Sequence, residues 1–305
     1  MVSVVITTCR REPDILRRAM DSVIHQTYSD WEMIIVDDSP ADYPLRNVVR
    51  DMVEQIGQAD DKEGKKRIHY IAHAENKGAC AARNTGLEAA AGEYIAYLDD
   101  DDEWLPQKLA LQVQKAEEAG SSVALIYCGS YVRKEGSDKT VVRKQEYHRG
   151  HIFDTLILEN YIGSTSFPLM RTKCLREIGG FDVLMQSAQD ADVWLRLAAL
   201  YEMDYVKEPL VCYHIHEGVR ISTNIAKKIA GLERMNEKNQ VYLDTHPIAF
   251  CIRNMRLARM YAKGGQLTKA LCIWWKAALK CPWRVVQNGK YLLQIIREKF
   301  RSMKE

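Results

Sequence analysis

The sequence predicts an α/β fold with a mostly parallel sheet and helices on both faces, followed by a helical extension. Three observations support this prediction. Short β-branched runs alternate with segments of helical spacing early in the chain, carboxylates follow the ends of two such runs, and the last part has only helical spacing. We therefore expect an α/β domain over residues 1–222 and a basic helical extension over residues 223–305.

The first four strands are predicted from short apolar runs that are separated by helical patterns. The strands are expected at residues 2–7, 32–36, 67–72 and 93–98. Helices are expected from Pro13 onward, over 45–56 and over 79–91. Pro13 suits the first turn of a helix, because its missing N–H would have no partner there. Strand-helix repeats of this kind form parallel sheets, and ligands bind at the carboxyl ends of their strands.

The pattern becomes mixed from about residue 121 onward. The expected elements are a strand at 123–128, a charged hairpin-like stretch up to 147, a turn at 179–182, a helix at 190–201 and a strand at 210–215. After about residue 222 the apolar spacing is helical, with breaks at Gly264-Gly265 and Pro282.

Charge is distributed unevenly, although the formal net charge of the 305 residues is only +2. Residues 251–305 carry 13 Lys and Arg against 2 acidic residues, which gives +11, so residues 1–250 carry −9. A tail that mixes tryptophan with basic residues is typical of a segment on an anionic membrane surface. A solvated basic face over a packed core is an equal alternative. Nucleic acid is disfavoured as a partner, because no binding motif accompanies the charge.

The cysteines and the hydropathy pattern indicate the cellular compartment. The eight cysteines form no CxxC pair, which argues against a zinc ribbon and favours reduced cysteines in the core. The first residues lack the basic flank and apolar stretch of a signal peptide, and no apolar window approaches the length of about 18 residues that a membrane span needs. We expect a cytoplasmic protein, peripheral on the inner face of the cell membrane if the tail binds lipid.

Four consecutive carboxylates, Asp99 to Asp102, follow the predicted strand at 93–98. Adjacent carboxylates raise the proton affinity of one another, so such a run favours a counter-charge. In an extended segment Asp99 and Asp101 lie on the same side. Mg²⁺ and Mn²⁺ prefer such oxygen ligands. The run therefore predicts a divalent cation site, although a solvated acidic loop would have the same sequence.

Other charged residues admit two interpretations each. Asp37 and Asp38 follow another strand end and are expected in the same crevice, but an Asx turn would explain them equally well. Arg83 lies on a helix of small residues, where it would bind phosphate or pair with a carboxylate. Asp190 and Asp192 open a helix, where capping is the simpler explanation.

Seven motifs occur in the order in which one enzyme family carries them. They are residues 3–8, 26–32, 35–39, 76–78 with 82–86, 97–106, 178–182 and 189–196. On these motifs, the chain from Val2 to about Ser222 resembles family 2 glycosyltransferases of the GT-A fold, and its acidic run is similar to their DxD motif. The resemblance implies an inverting enzyme that uses a nucleotide-sugar, with UDP as the favoured nucleotide.

The resemblance also implies a role for each site residue. Asp38 would contact the nucleotide base and Asp37 its ribose, and Asp190 would be the catalytic base. Asp101 would be the main ligand of Mn²⁺ or Mg²⁺. The remaining residues would complete the nucleotide and metal sites: Thr7, Arg83, Asp99 and Asp100 on the nucleotide, and Asp99 and His216 on the metal. His214 and His216 flank the end of the last predicted strand, where alternation puts them on the same face.

The expected partners follow from that class of enzyme. They are a nucleotide-sugar donor and a glycan or lipid-linked acceptor hydroxyl, in the synthesis of a surface polysaccharide. One alternative is a non-catalytic protein that binds nucleotide-sugars or serves as a scaffold. A sugar nucleotidyltransferase is excluded, because residues 8–12 lack the glycine-rich loop that cradles a triphosphate.

Overall fold

The computed structural model describes residues 1–60, 66–134, 139–215 and 224–302. They fall into two units. The first comprises Met1–Leu156, Asn160–Val183 and Val193–Glu217, and the second comprises Ile157–Glu159, Leu184–Asp192 and the described residues of Gly218–Glu305. The second unit thus includes two short segments from the part of the sequence that we assigned to the α/β domain.

The first unit is an α/β structure. Its strands are β1 (Val2–Thr8), β2 (Trp31–Asp37), β3 (Ile68–Ala72), β4 (Tyr94–Asp99), β5 (Glu103–Trp104), β6 (Val123–Lys134), β7 (Thr140–Val142), β8 (Leu169–Arg171) and β9 (Glu202–Ile215). Its helices are α1 (Pro13–Ile24), α2 (Arg46–Asp60), α3 (Ala79–Ala89), α4 (Lys108–Ala119), α5 (Phe153–Leu156) and α6 (Thr172–Glu177), and α7 (Gln189–Ala198) begins in the second unit.

Within the described residues, the nine strands form one sheet in the order β3-β2-β1-β4-β8-β6-β9-β5, with β7 paired to β6. Strands β3, β2, β1 and β4 are parallel. The chain runs outward from β1 through β2 to β3 and then returns to place β4 on the other side of β1. That reversal is the position at which open α/β sheets bind their ligands.

The sheet confirms the predicted α/β class and adds an antiparallel element. Strand β8 lies between β4 and β6 and is antiparallel to both. Two further differences from the sequence prediction are the length of β9, which begins at Glu202 instead of 210, and helix α4, which was not predicted. Strand β9 is longer because its first residues pair with β6, a contact that local apolar spacing does not reveal.

The main core lies between the sheet and helices α1, α2 and α4. Leu16, Met20 and Val23 of α1 are fully buried against β1 and β2, at the spacing of one helix face. The inner strands are buried on both faces, and this explains why they read as continuous apolar runs.

Lys108 is the unusual residue of this core. Its side chain is fully buried, with Nζ 3.9 Å from the centre of the Trp104 ring and donating to Gln112 Oε1 at 2.7 Å. Burial lowers the pKa of Lys108 to about 8. The folded state therefore releases this proton at a lower pH than the unfolded chain does.

We expect this buried lysine to make stability depend on pH. Between about pH 8 and the ordinary lysine value of 10.5, the unfolded chain binds more protons. The free energy of unfolding of the wild type should therefore rise relative to Lys108→Met, by up to about 3 kcal/mol across that window. Denaturant unfolding at several pH values measures this difference, with exposed Lys173→Met as the control. A flat or falling difference would contradict the prediction.

The second unit is helical. Its helices are α8 (Ile225–Lys238), α9 (Gln240–Thr245), α10 (Pro247–Lys263), α11 (Leu267–Lys280) and α12 (Val285–Ser302), with a 3₁₀ turn at Pro282–Arg284. Two small apolar clusters hold α8, α10, α11 and α12 together. The breaks that the sequence predicted at Gly264-Gly265 and Pro282 fall at helix ends.

Cysteine chemistry and hydropathy agree with the sequence in two respects. All eight cysteines are free thiols, and six of them are buried, as expected for small core residues. Among the described helices, none has both the length and the apolar character that crossing a bilayer requires.

Candidate functional site

The acidic motifs meet at the carboxyl edge of the parallel strands. Thr8 at the end of β1 is in register with Asp37 of β2, and Thr7 is in register with Asp99 of β4. Asp38 continues from β2 at the same edge, and its N–H donates to the Thr8 carbonyl at 2.8 Å. The structure therefore brings together the two carboxylate motifs that the sequence placed in one crevice.

Asp38 is buried, with only 3% of its surface exposed, and it anchors the loop that leads into α3. Its carboxylate accepts hydrogen bonds from the N–H groups of Lys77 at 2.7 Å and Gly78 at 2.8 Å. His73 Nδ1 donates a third at 2.7 Å, since a carboxylate only accepts. Gly78, one of these donors, has φ of +89°, a conformation that favours glycine.

Asp37 is equally buried and combines an Asx turn with a side-chain contact. Its Oδ1 accepts from the Ser39 N–H at 2.8 Å, and its Oδ2 accepts from the Tyr70 hydroxyl at 2.6 Å. Burial, and next the hydrogen bond to Asp37, raise the pKa of Tyr70, so the phenol keeps its proton. The turn interpretation of Asp37 is thus correct for its local geometry, and its role toward a ribose remains a prediction.

Asp100 is held by two residues from β1 and the loop after it. The Thr8 hydroxyl donates to Oδ2 at 2.7 Å, and the Arg11 guanidinium donates to Oδ1 at 2.7 Å. Burial raises the pKa of Asp100, and the arginine acts in the opposite direction. Arg11 also lies 3.3 Å from a carboxylate oxygen of Asp101 and therefore bridges the two acids.

Asp99 faces a different set of partners. Its Oδ1 accepts from Arg83 Nη2 at 3.1 Å and from the Thr165 hydroxyl at 2.9 Å. Its Oδ2 accepts from the Ser164 hydroxyl at 2.9 Å. Arg83 thus reaches the acidic run from α3, as one of its two interpretations predicted. Its predicted contact with a nucleotide is not tested by this ion pair.

Asp102 is fully buried and has hydrogen-bond partners on the loop before β8 and on β9. Its Oδ2 accepts from the Ser166 hydroxyl at 2.6 Å, and its Oδ1 accepts from the His214 N–H at 3.2 Å. Burial, and then the charges of Asp99 and Asp101, raise the pKa of Asp102 well above its usual range. Through these two hydrogen bonds Asp102 helps to hold the loop.

The donor set of the acidic run is compatible with a hard divalent cation. Asp99 and Asp101 retain 29% and 25% of their side-chain exposure, and the groups around Asp99 include two hydroxyl oxygens. Mg²⁺ and Mn²⁺ prefer oxygen ligands of this kind and keep several waters. Arg11 already neutralises part of the charge, so the run is stable without full ionic compensation by a metal.

A second group of potential ligands lies beside the run. Glu103, Cys212 and His214 have ligand atoms within 4.8 Å of one another. However, Arg18 and Arg133 lie 3.5 Å and 3.8 Å from the same Glu103 oxygen, which disfavours a cation there. His214 Nε2 is 2.6 Å from that oxygen, and the hydrogen bond lowers the pKa of Glu103. This group is better described as a charge-paired cluster.

The structure assigns one predicted site residue, Asp190, to the second unit and does not describe another, His216. Asp190 is the second residue of α7, half-buried, in a segment that belongs to the second unit. In the same unit, Asp192 Oδ1 is 2.5 Å from Lys238 Nζ of α8, so this acid forms a buried ion pair. His216, predicted as a metal ligand, lies outside the described residues.

Several residues that organise this edge are not predicted from the sequence. Arg11 neutralises Asp100 and Asp101, and His73 binds Asp38. The hydroxyls of residues 164–166 bind Asp99 and Asp102. The available signals were the basic residue just after β1 and three consecutive hydroxyl residues after Gly163, which has φ of +101°.

The fold and this edge define an α/β protein whose acidic motifs gather at the carboxyl ends of β1, β2 and β4, the edge at which open α/β sheets usually bind ligands. Comparison with known proteins identifies the family. The model of glycosyl transferase family 2 matches residues 3–179. The chain is also similar to WcaA of Escherichia coli K12, whose name refers to colanic acid biosynthesis, with 30% identity over 250 residues, 80% of this chain and 83% of WcaA. The chain therefore belongs to glycosyl transferase family 2.

Other relatives and solved structures agree with this assignment. TuaG of Bacillus subtilis 168, whose name refers to teichuronic acid biosynthesis, is 32% identical over 198 residues, 63% of this chain and 70% of TuaG. S. aureus TarS superimposes on 98% of this chain with a TM-score of 0.64 at 13% identity, and the chain spans about half of it, 54%. A shorter TarS chain in complex with UDP-GlcNAc gives a TM-score of 0.57 at 15% identity, covering 89% of this chain and 90% of TarS. These likenesses confirm the GT-A-like fold.

Proposed function

We propose that this glycosyltransferase moves a sugar from a nucleotide-diphosphate donor, with UDP as the nucleotide, to an acceptor hydroxyl with inversion at the anomeric carbon. The observation that carries the proposal is the meeting of the Asp37-Asp38 and Asp99 to Asp102 motifs at the reversal of the sheet. The relatives' names, which refer to colanic and teichuronic acid biosynthesis, support a glycan or lipid-linked acceptor in the synthesis of a surface polysaccharide.

In this proposal the edge of the sheet orients the nucleotide. Asp37 and Asp38 brace the β2 and α3 loops, where the ribose and base would bind, and Thr7 lies beside them in register with Asp99. Arg83 carries a positive charge next to Asp99, where it would help to hold the phosphates. In the same proposal Asp100 contacts the ribose of the nucleotide.

The chemical step is a single displacement. Asp190 takes the proton from the acceptor hydroxyl as the oxygen forms a bond to the anomeric carbon. The bond from that carbon to the diphosphate oxygen breaks, and its electron pair leaves with the nucleoside diphosphate. Because the attack occurs opposite the leaving group, the configuration inverts.

Asp99 and Asp101 would hold Mn²⁺ or Mg²⁺, with His216 as a further proposed ligand. A bound cation would supply charge neutralisation of the leaving diphosphate. Arg11 bridges the carboxylates of Asp100 and Asp101, and we propose that it holds this turn of the acidic run in place when the donor leaves. Asp102 keeps the loop attached to β9 through the His214 N–H.

The function is tested by a panel of nucleotide-sugars. Each donor is scored first for metal-dependent thermal stabilisation of the protein and then for release of its nucleoside diphosphate. We expect one UDP-sugar to raise the Tm more than the other donors and to be turned over. Failure of every donor to bind or to be turned over, with or without acceptor glycans, would contradict the proposal.

Removal of divalent metal gives a separate prediction. Chelation should lower transfer at least about ten-fold, because the leaving diphosphate would lose its counter-charge, and added Mn²⁺ or Mg²⁺ should restore it. Ca²⁺ is a useful control, since its larger size and looser geometry suit the site less well. Full activity in the presence of chelator would exclude a metal from this mechanism.

A further inference from the structure

Helix α11 exposes large apolar residues along one side and buries small residues along another. Leu271, Trp275 and Leu279 are 38%, 57% and 62% exposed. They lie four residues apart, so they form one continuous stripe on the helix surface. Ala270 and Ala277, on another face of the helix, are fully buried in the two clusters of the helical unit. We refer to Leu271, Trp275 and Leu279 as the apolar stripe.

Further exposed apolar residues follow the apolar stripe along the chain. Trp283, in the 3₁₀ turn after α11, is 64% exposed, and Leu293 and Ile296 of α12 are 56% and 39% exposed. Single exposed apolar residues are ordinary on a protein surface, but a row of them that includes two tryptophans indicates a contact surface. Tryptophan is the residue most typical of the boundary between lipid and water.

The charge beside the apolar stripe is positive. Lys276 is exposed immediately after Trp275, and Lys269 is exposed six residues before it. Lys280 is partly neutralised by Asp244, whose carboxylate lies 3.4 Å from its Nζ. Helix α11 itself contains no acidic residue, and residues 251–302 contain a single one against 12 Lys and Arg.

We propose that the apolar stripe binds the surface of a membrane that contains anionic lipids. Leu271, Trp275 and Leu279 would enter the boundary between headgroups and acyl chains, and Lys269 and Lys276 would meet the headgroup phosphates. A second copy of the chain is a poorer occupant, because pairing this face with itself would bring like charges together. In this proposal helix α11 lies on the bilayer surface and does not cross it.

The test is co-sedimentation of the full chain with vesicles of two compositions. We expect binding to vesicles that contain phosphatidylglycerol, much weaker binding to pure phosphatidylcholine, and loss of binding at high salt. Trp275→Ser and Leu279→Ser should each weaken binding about ten-fold, since each removes a large apolar side chain from the contact. Lys276→Gln should weaken it about five-fold.

Val241→Ser is the matched control, because Val241 of α9 is 85% exposed on the same unit but is not part of the apolar stripe. Circular dichroism checks that each variant is folded, as expected for substitutions at exposed positions. Absence of binding to anionic vesicles would overturn the proposal, as would equal effects of Val241→Ser and Trp275→Ser. A dimer of the wild type that Trp275→Ser dissociates would instead assign the stripe to contacts between copies. These readouts do not depend on catalytic activity.

Discussion

Replacement of Asp190 by asparagine should lower transfer by about a hundred-fold to ten-thousand-fold, the range that a general base contributes. Asparagine keeps the shape of the side chain but cannot take the proton of the acceptor hydroxyl. The segment itself should stay in place, because Asp192 of the same helix turn remains paired to Lys238 at 2.5 Å. Donor affinity should therefore remain close to that of the wild type.

The measurement separates catalysis from binding. Initial rates of sugar transfer report the loss, and calorimetry with the nucleotide-sugar reports the affinity. Asp244→Asn is the control, because Asp244 is an exposed acid of the helical unit outside the proposed machinery. Transfer by Asp190→Asn within about ten-fold of the wild type would remove Asp190 from the role of base and direct the search to other acids.

The parts of the site that the sequence predicts are those carried by strand ends. Asp38 and Asp99 follow apolar runs that are buried on both faces, and parallel strands bring such ends to one edge. The sequence therefore predicts both motifs at one edge of the sheet, where the structure places them. The family resemblance, confirmed by the match over residues 3–179, supplied the order of the motifs and the class of enzyme.

The residues that neutralise and position those carboxylates were less accessible to sequence reasoning. Arg11 lies 89 positions before Asp100, and Ser166 lies 64 positions after Asp102. Neither pairing has a local spacing rule. The first depends on how β1 lies beside β4, and the second on how β8 and the loop before it pack beside β4. Strand β8 has only three residues and is antiparallel, so its pattern is too short to show a period.

Residue spacing also does not predict the tertiary partners of single charged residues. Capping was the simpler explanation for both acids of α7, yet Asp192 forms an ion pair with a lysine of α8, 46 positions later. Lys108 shows the same limit in the core, where a cation is fully buried beside Trp104. Tertiary contacts decide such positions, since local preference alone would place a lysine on the surface.

Replacement of Asp38 by asparagine should destabilise the α/β unit by about 3 kcal/mol. The amide can still accept hydrogen bonds through its oxygen, but its NH₂ group would face the N–H of Gly78 or Lys77, and one buried donor would lose its acceptor. His73 would also lose a charged partner. Thermal unfolding measures the effect, and a loss of this size corresponds to a Tm lower by about 6–12 °C.

This variant also distinguishes a brace from a direct nucleotide contact. Asp38 already accepts three hydrogen bonds, and a carboxylate offers about four acceptor positions, so little capacity remains for a base. If the nucleotide contact is direct, UDP affinity should fall even at temperatures far below the Tm of the variant. If Asp38 acts only as a brace, affinity should fall in proportion to the loosening of the loop and recover on cooling. Exposed Asp42→Asn, in the same loop, controls for the lost charge and should change neither Tm nor affinity. An unchanged Tm for Asp38→Asn would contradict the anchoring role that its three hydrogen bonds predict.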